Sequence, residues 1–224
     1  MSPVDAWQVV APLLVLFGHQ SVGDNILSGV TREAQARGVA LNIVDFKVGE
    51  NEKPATKLAA FEERLAKGDG ARAQVAMLKF CYVDFRADTD VDALFGDYVA
   101  MVERLSKSHP SLRFVHATAP LTTVQTGIKA FLKHLLGRPA QGEAENQARH
   151  RYNELVRARF ASTKTVFDIA RVESEGPHTC SFERDGKRWP CLAPALTDDG
   201  GHLNEAGQAS AAHAFVEAIA AAVR

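Results

Sequence analysis

A serine stands between two glycines where the first apolar run of the chain ends. The run at residues 13–17 is followed by Gly18, then by Ser21 and Gly23, before a second segment rich in apolar residues begins. A sharp turn that leads into a helix suits a nucleophile, because backbone N–H groups there point toward negative charge developing on an attacked carbonyl oxygen. The alternative is that Ser21 caps the helix, which is a common role for serine before an apolar-periodic segment.

An aspartate and a histidine lie three residues apart near the other end of the chain. Asp199 precedes His202 in a glycine-rich loop before the last helical segment. In a tight turn this spacing lets the carboxylate accept the Nδ1–H of the imidazole, which leaves Nε2 to take a proton from a hydroxyl. The alternative is a surface histidine in a loop whose Asn204 caps the helix.

Strands and helices alternate along the chain and must position these residues. Apolar runs predict strands at 13–17, 40–46, 74–82, 113–116 and 165–169, and apolar residues at helical spacing predict helices at 26–36, 54–66, 90–107, 125–136, 143–160 and 204–223. Unbroken apolar strands that alternate with helices indicate a parallel sheet covered on both faces. We expect a three-layer α/β/α fold of about five strands in a single domain, 1–224, with the site at the carboxyl ends of the strands.

The two motifs together resemble those of the SGNH hydrolases, also called the GDSL esterase/lipase family. In that family a serine follows the first strand of a flavodoxin-like parallel sheet, and a D-x-x-H-x-N pattern precedes the last helix. Here the second pattern reads Asp199-Gly200-Gly201-His202-Leu203-Asn204, and the resemblance spans essentially the whole chain. It implies a serine esterase with no cofactor, in which Ser21 is the nucleophile, His202 the general base and Asp199 the residue that orients it.

The first and third sequence blocks depart from the family pattern. His19 and Gln20 precede the serine where the family has Gly-Asp, and His19 could bind substrate or be a satisfied polar residue at a strand end. The resemblance matches Gly49 to the glycine whose N–H donates to the oxyanion. Val83 stands where the family has an asparagine donor, and loss of one such donor typically lowers the rate about 10²- to 10³-fold.

Another group is expected to replace the missing asparagine. The side chains with suitable chemistry are Asn25, Asn51, Lys79 and Tyr82. Asn51 lies close to Gly49 in the sequence and has the right type of donor, so we predict oxyanion or substrate-binding roles for Gly49, Asn51, His19 and Tyr82. Asp84, the next residue of the third block, is expected to hold its loop through backbone hydrogen bonds.

Composition limits the partners. The chain has 26 basic and 27 acidic residues and a formal net charge of −1, so no overall field favours nucleic acid or an anionic membrane surface. No apolar run reaches the ~18 to 20 residues of a membrane span, and no phosphate-binding, dinucleotide or zinc motif occurs. We expect a small-molecule or carbohydrate ester as substrate, no nucleic acid, no metal and no membrane span, with the oligomeric state open.

Two cysteines flank a segment that reads as a hairpin. Cys180 and Cys191 lie on either side of an Asp185-Gly186 turn. A disulfide between them, together with removal of a leader, would indicate a periplasmic or secreted protein, and the other alternative is a cytoplasmic one. Phe182 and Trp189 on this hairpin could stack on a sugar ring or pair with each other across the strands.

Two further functions stay open at this stage. Loss of the asparagine donor would also suit a ligand- or glycan-binding domain that keeps the fold with weak or no activity. An O-acyltransferase would use the same serine, histidine and aspartate with an alcohol as the acyl acceptor.

Overall fold

A five-stranded parallel sheet forms the centre of the protein. The computed structural model describes residues 5–68, 70–163 and 165–224. The strands are β1 (Leu14–His19), β2 (Asn42–Lys47), β3 (Val75–Leu78), β4 (Arg113–Ala117) and β5 (Val166–Phe167). Their order in the sheet is β2-β1-β3-β4-β5, and every neighbouring pair is parallel. This is the flavodoxin-like order, and the predicted fold class is confirmed.

Helices pack on both faces of the sheet. One face carries α1 (Ala6–Val10), α2 (Ser21–Arg37), α7 (Ile169–Ser174) and α8 (Glu205–Val223), and the other carries α3 (Pro54–Leu65), α4 (Val91–Ser108) and α6 (Glu143–Phe160). The remaining helix, α5 (Gly127–Leu135), has Ala130 as its one buried residue and joins neither core. None of the helices in the described ranges is both long and apolar enough to cross a membrane.

The strand sequences follow from burial on both faces. Side chains alternate along a strand, so Val15 and Phe17 of β1 pack against α2 and α8, whereas Leu16 packs into the opposite core. Because neither face meets solvent at this position, the strand needs apolar residues at consecutive positions and not at every second one. This packing fixes the carboxyl end of β1, from which the candidate nucleophile follows.

Local boundaries differ from the predictions in ways that have physical causes. Helix α2 begins at Ser21 and not at residue 26, because its polar first turn hides the apolar period. Strand β3 ends at Leu78 and not at residue 82, since the chain turns into a loop with one 3-10 turn at Tyr82–Asp84. The short helices α1 and α7 were not predicted, because fewer than two turns give too little periodicity to recognise.

The predicted hairpin before the histidine loop is confirmed. Strands β6 (Ser181–Arg184) and β7 (Lys187–Pro190) pair antiparallel, and Cys180 and Cys191 at their ends form a disulfide. Phe182 lies opposite Trp189, and the Trp189 ring meets the edge of His150 in α6 with the centroids 5.4 Å apart. These contacts favour the cross-strand alternative for the two aromatic residues.

Candidate active site

Ser21 and His202 come together from opposite ends of the chain. Oγ of Ser21 lies 2.8 Å from Nε2 of His202, and Nδ1 of His202 lies 2.6 Å from Oδ2 of Asp199. An ionised carboxylate can only accept, so Nδ1 carries the proton of the neutral ring and Nε2 is left to accept from the serine hydroxyl. This chain of hydrogen bonds can take a proton from Ser21 and stabilise the imidazolium that results.

The Asp199 carboxylate is held by its own loop. Its Oδ1 accepts the N–H groups of His202 and Gly201, at 2.8 and 2.9 Å. The N–H and the ring of His202, followed by the N–H of Gly201, hold the pKa of Asp199 well below its usual value. The carboxylate therefore stays ionised, and its side chain is more than half exposed to solvent. The next residue, Leu203, donates its N–H to Oδ1 of Asn25 at 3.1 Å, which ties this loop to α2.

Ser21 is the first residue of α2 and does not cap it. The N-cap residue is Gln20, which makes no side-chain capping bond, because its amide donates instead to the carbonyls of Val48 and Gly49, at 2.8 and 3.0 Å. The N–H groups of the first turn thus lack a side-chain cap, and such groups are the donors that an anion beside Ser21 would meet. Gln20 is not among the predicted site residues, and its one signal in the sequence is a long amide side chain at a position where a short capping side chain is usual.

The loop after β2 requires glycine at position 49. Gly49 has a φ of 55°, and a Cβ there would lie 2.6 Å from the backbone nitrogen of Lys57. Two residues on, Asn51 is exposed and its Oδ1 accepts from Nζ of Lys57 at 3.2 Å. Because the oxygen of this amide is engaged, its NH₂ group is the end that faces away from Lys57 and can donate elsewhere.

A buried ion pair fastens this loop to the loop after β3. Nζ of Lys57 lies 2.7 Å from Oδ2 of Asp84, and both side chains are fully buried. Asp84 also accepts the N–H groups of Cys81 at 2.7 Å and Glu52 at 3.1 Å, so the expectation that it holds its loop is confirmed. Lys57 is not among the predicted site residues, although a lysine within the apolar stripe of α3 is a recognisable signal of an internal partner.

The other candidate donors occupy different positions. The Tyr82 ring packs edge-on against His202 with centroids 5.8 Å apart, and partial burial raises its pKa. Lys79 is fully buried and its Nζ donates to the carbonyl of Phe80 at 3.2 Å, so it faces the interior. The side-chain oxygen of Asn25 accepts the N–H of Leu203, as described above. Of the four candidates, only Asn51 is exposed, and Tyr82 and Asn25 are half-buried.

His19 lies beneath the first turn of α2 and is fully buried. Its Nδ1 contacts the carbonyl of Gln20 at 2.9 Å and its Nε2 contacts Asp45 at 3.1 Å, while burial lowers its pKa. A Cβ at Gly23 would come within 2.2 Å of the His19 ring, so that glycine is needed for the close approach of helix and ring. Of the two alternatives for His19, substrate binding or a polar residue with internal hydrogen bonds at a strand end, these contacts favour the second.

A cleft of about 1000 Å³ lies beside Asp199 and Tyr82. Its lining includes Tyr82 and Val83, the segments 122–125 and 141–142, and the loop from Asp199 to Gly201. Ser21 and His202 are not part of this lining, and Asp199 connects it to them through its hydrogen bond with His202. Arg149 also lines the cleft, and its guanidinium donates to the Tyr82 carbonyl at 3.0 Å and to the Thr122 hydroxyl at 2.8 Å.

Comparison with solved structures reveals similar folds at low sequence identity. A candidate platelet activating factor from Streptococcus pneumonia is 15% identical, with a TM-score of 0.56 over 92% of this chain and 83% of that chain. A candidate lipolytic protein of the G-D-S-L family from Desulfitobacterium hafniense DCB-2 is 13% identical, with a TM-score of 0.54 over 92% and 98%. A candidate lipase from Chitinophaga pinensis DSM 2588 is 14% identical, with a TM-score of 0.52 over 91% and 96%.

At the level of sequence, no protein-family model and no curated protein matches the chain. The likeness therefore rests on the path of the backbone over nearly the whole length, which includes the flavodoxin-like strand order. In fold, the chain resembles the GDSL-type, or SGNH, lipolytic proteins, as its two motifs predict.

Proposed function

We propose that the protein is a serine esterase of the SGNH type, with Ser21 as nucleophile, His202 as general base and Asp199 as the residue that orients it. The observation that carries the proposal is the unbroken hydrogen-bonded chain from Oγ of Ser21 through the imidazole to Asp199, at 2.8 and 2.6 Å. Two such distances in the right order, at the carboxyl edge of a parallel sheet, are the geometry that nucleophilic acyl transfer needs.

The reaction follows from the hydrogen-bond directions. Oγ of Ser21 attacks the acyl carbonyl carbon while its proton passes to Nε2 of His202, and ionised Asp199 stabilises the resulting imidazolium. The tetrahedral intermediate collapses when His202 returns the proton to the leaving alcohol, which leaves an acyl group on Ser21. A water molecule, activated by the same Nε2, then hydrolyses this acyl-enzyme and restores the serine.

The oxyanion would be held by donors from the first turn of α2 and from the loop after β2. The uncapped first turn of α2 supplies the N–H of Ser21, and the loop after β2 supplies the N–H of Gly49. Asn51 provides the side-chain donor in place of the asparagine that Val83 replaces, since Lys57 engages its oxygen and leaves its NH₂ free. Gln20, the residue before the nucleophile, supports this arrangement because its side-chain amide is hydrogen-bonded to the loop that contains Gly49.

The proposed substrate is a small acyl ester whose acyl or alcohol part extends into the cleft beside Tyr82. A volume of about 1000 Å³ holds a ligand of moderate size. The O-acetyl ester of a carbohydrate is the class that the family resemblance implies. The hairpin aromatics do not add to that argument, because Trp189 packs on His150 and neither it nor Phe182 lines the cleft.

A fluorophosphonate probe tests the nucleophile directly. The wild-type protein should be labelled at Ser21 and should hydrolyse p-nitrophenyl acetate, whereas Ser21→Ala should lose both properties, with turnover reduced about 10⁴- to 10⁶-fold. Ser28→Ala is the matched control, because Ser28 lies on the same helix and its hydroxyl bonds only the carbonyl of Asp24 among the described residues. A Ser21 that resists the probe would instead favour a non-catalytic binding domain, and an unchanged turnover in Ser21→Ala would remove Ser21 from the mechanism.

A further inference from the structure

Helix α5 presents a large apolar face to solvent. Its exposed apolar residues, together with Leu136 directly after it, range from 51% exposed at Leu132 to 79% at Ile128, and the complete set is Ile128, Phe131, Leu132, Leu135 and Leu136. Four of them follow the spacing i, i+3, i+4 and i+7, so they form one continuous stripe. We call these five residues the α5 face. A continuous exposed apolar face usually marks a surface that a binding partner or a membrane covers.

Cations surround the α5 face. Lys129, Lys133 and Arg138 lie within or just after the helix, and none of them forms an ion pair with the part of the chain that the structure describes. The sequence from residue 104 to residue 142 contains no aspartate or glutamate, although the whole chain has a net charge of −1. The positive charge at this helix is therefore local, and it is not offset by acidic residues of the same segment.

Neighbouring acidic groups are already engaged. Glu143, which follows the segment, is buried and lies 2.8 Å from His134 and 3.1 Å from Arg184. Glu183 and Asp185 of the hairpin border the groove that Arg138 enters, but each pairs with an arginine of the hairpin, at 3.7 and 3.5 Å. Among the described residues, these three acidic groups therefore leave Lys129, Lys133 and Arg138 beside the apolar stripe without an ion-pair partner.

We propose that the α5 face is a docking surface for an anionic lipid bilayer. Apolar side chains of one helix face enter the boundary between headgroups and acyl chains, and flanking lysine and arginine residues bind the lipid phosphates. A helix of nine residues is about 13 Å long, so it lies along the interface and does not span it. Charge complementarity selects this occupant over a second copy of the chain, which would bring two sets of cations together.

Helix α5 lies between two segments that line the cleft beside the candidate active site. Residues 122–125 before the helix and 141–142 after it both line the cleft that ends at Asp199. A bilayer bound to the α5 face would therefore lie at the rim of the cleft. If the proposed esterase function holds, the ester that enters from this side is part of an amphiphile at the lipid surface.

Vesicle co-sedimentation with the full Ser21→Ala chain tests the docking without lipid turnover. Binding to phosphatidylcholine vesicles that contain phosphatidylglycerol should be clear, should weaken as salt is added, and should be largely absent with phosphatidylcholine alone. Phe131→Ser and Leu135→Ser should each reduce binding strongly. Their side chains are solvent-exposed, so thermal unfolding of both variants should match that of the parent and show that folding is intact.

A pair of charge variants supplies the matched control. Lys129→Gln should weaken binding to the anionic vesicles about fivefold, whereas Lys107→Gln, which removes the same charge from an exposed position on α4, should leave it unchanged. Equal losses in the two variants, binding that ignores Phe131→Ser, or no vesicle binding would overturn the proposal. A dimer in sedimentation velocity that Phe131→Ser dissociates, without vesicle binding, would assign the face to a second copy. Each of these failures leaves the esterase proposal intact, because no turnover is measured.

Discussion

Two carboxylates in different loops of the protein, Asp199 before α8 and Asp84 after β3, make nearly the same contacts in opposite surroundings. Asp199 accepts two backbone N–H groups and the Nδ1–H of His202, and Asp84 accepts two backbone N–H groups and the ammonium of Lys57. The first pair is 56% and 38% exposed, while both members of the second are fully buried. The hydrogen-bond pattern alone therefore does not distinguish a catalytic carboxylate pair from a structural one.

The difference in exposure separates the roles. An exposed pair adds little to stability, but it can exchange a proton with a ligand or with solvent. A buried pair cannot reach substrate, and the loss of one partner leaves an uncompensated charge in the interior. Asp199 is thus the carboxylate suited to chemistry, and Asp84 is the one that holds the two loops in place. Three substitutions test this division, beginning with the largest effect.

Asp199→Asn should break the chemical pair. An asparagine amide can donate to Nδ1 and favour the ring tautomer that cannot accept from Ser21, so kcat for p-nitrophenyl acetate should fall about 10³- to 10⁴-fold. The measurement is steady-state kinetics together with thermal unfolding, which should change little. Because the pKa of Asp199 is held well below its usual value, the parent carries this negative charge at neutral and mildly acidic pH, and the loss of kcat in the variant should be similar across that range.

Asp198→Asn is the control for that prediction. Asp198 is the neighbouring residue and is exposed, and its carboxylate reaches only Asn204, at 3.5 Å, among the described residues. Its kinetics should match those of the parent. Similar losses at the two positions would contradict a specific role for Asp199.

Lys57→Met should break the structural pair. The variant leaves the Asp84 carboxylate buried without its cation, so the free energy of unfolding should fall by about 3 to 5 kcal/mol in urea denaturation. The double variant Lys57→Met with Asp84→Leu removes both charges and should recover part of this loss. Lys53→Met, which removes the surface partner of Glu50, should leave the urea midpoint unchanged. A single variant as stable as the parent would mean that the ion pair does not hold the loops.

Asn51→Ala sharpens the comparison, because Asn51 contacts Lys57 of the buried pair and is the proposed side-chain donor to the oxyanion. Loss of one preorganised oxyanion donor should reduce kcat/KM about 10²-fold, and at most about 10³-fold, with little change in stability. Asn42→Ala, an exposed asparagine at the start of β2, is the control. If Asn51→Ala keeps full activity, the donor lies elsewhere, and Tyr82→Phe becomes the variant that identifies it.

The α5 segment shows how a whole-chain property can hide a local one. The net charge of −1 predicts no attraction to an anionic membrane, and the periodicity at 125–136 predicts a helix with an apolar stripe. The structure turns that stripe toward solvent and leaves the cations beside it without acidic partners among the described residues. Composition averages over the chain, whereas a surface responds only to the charges within about a Debye length.

The sequence by itself determined the features that depend on local order. Helix α6 has the bounds predicted from its periodicity, the hairpin forms around its Asp-Gly turn, and the alternation of apolar runs with helices predicts the layered parallel sheet. The Asp199–His202 spacing is also local, since a turn of four residues suffices to bring carboxylate and ring together. Such features are encoded by neighbours in the chain, which a sequence displays directly.

Only the tertiary structure decided which distant residues meet. Ser21 and His202 are 181 positions apart, and their contact depends on the order of the strands and the packing of α2 against α8. Likewise, Lys57 reaches Asp84 and Asn51 because α3 covers the edge where two loops end. Contacts of this kind arise from the sum of packing over the whole core, so no short stretch of residues specifies them.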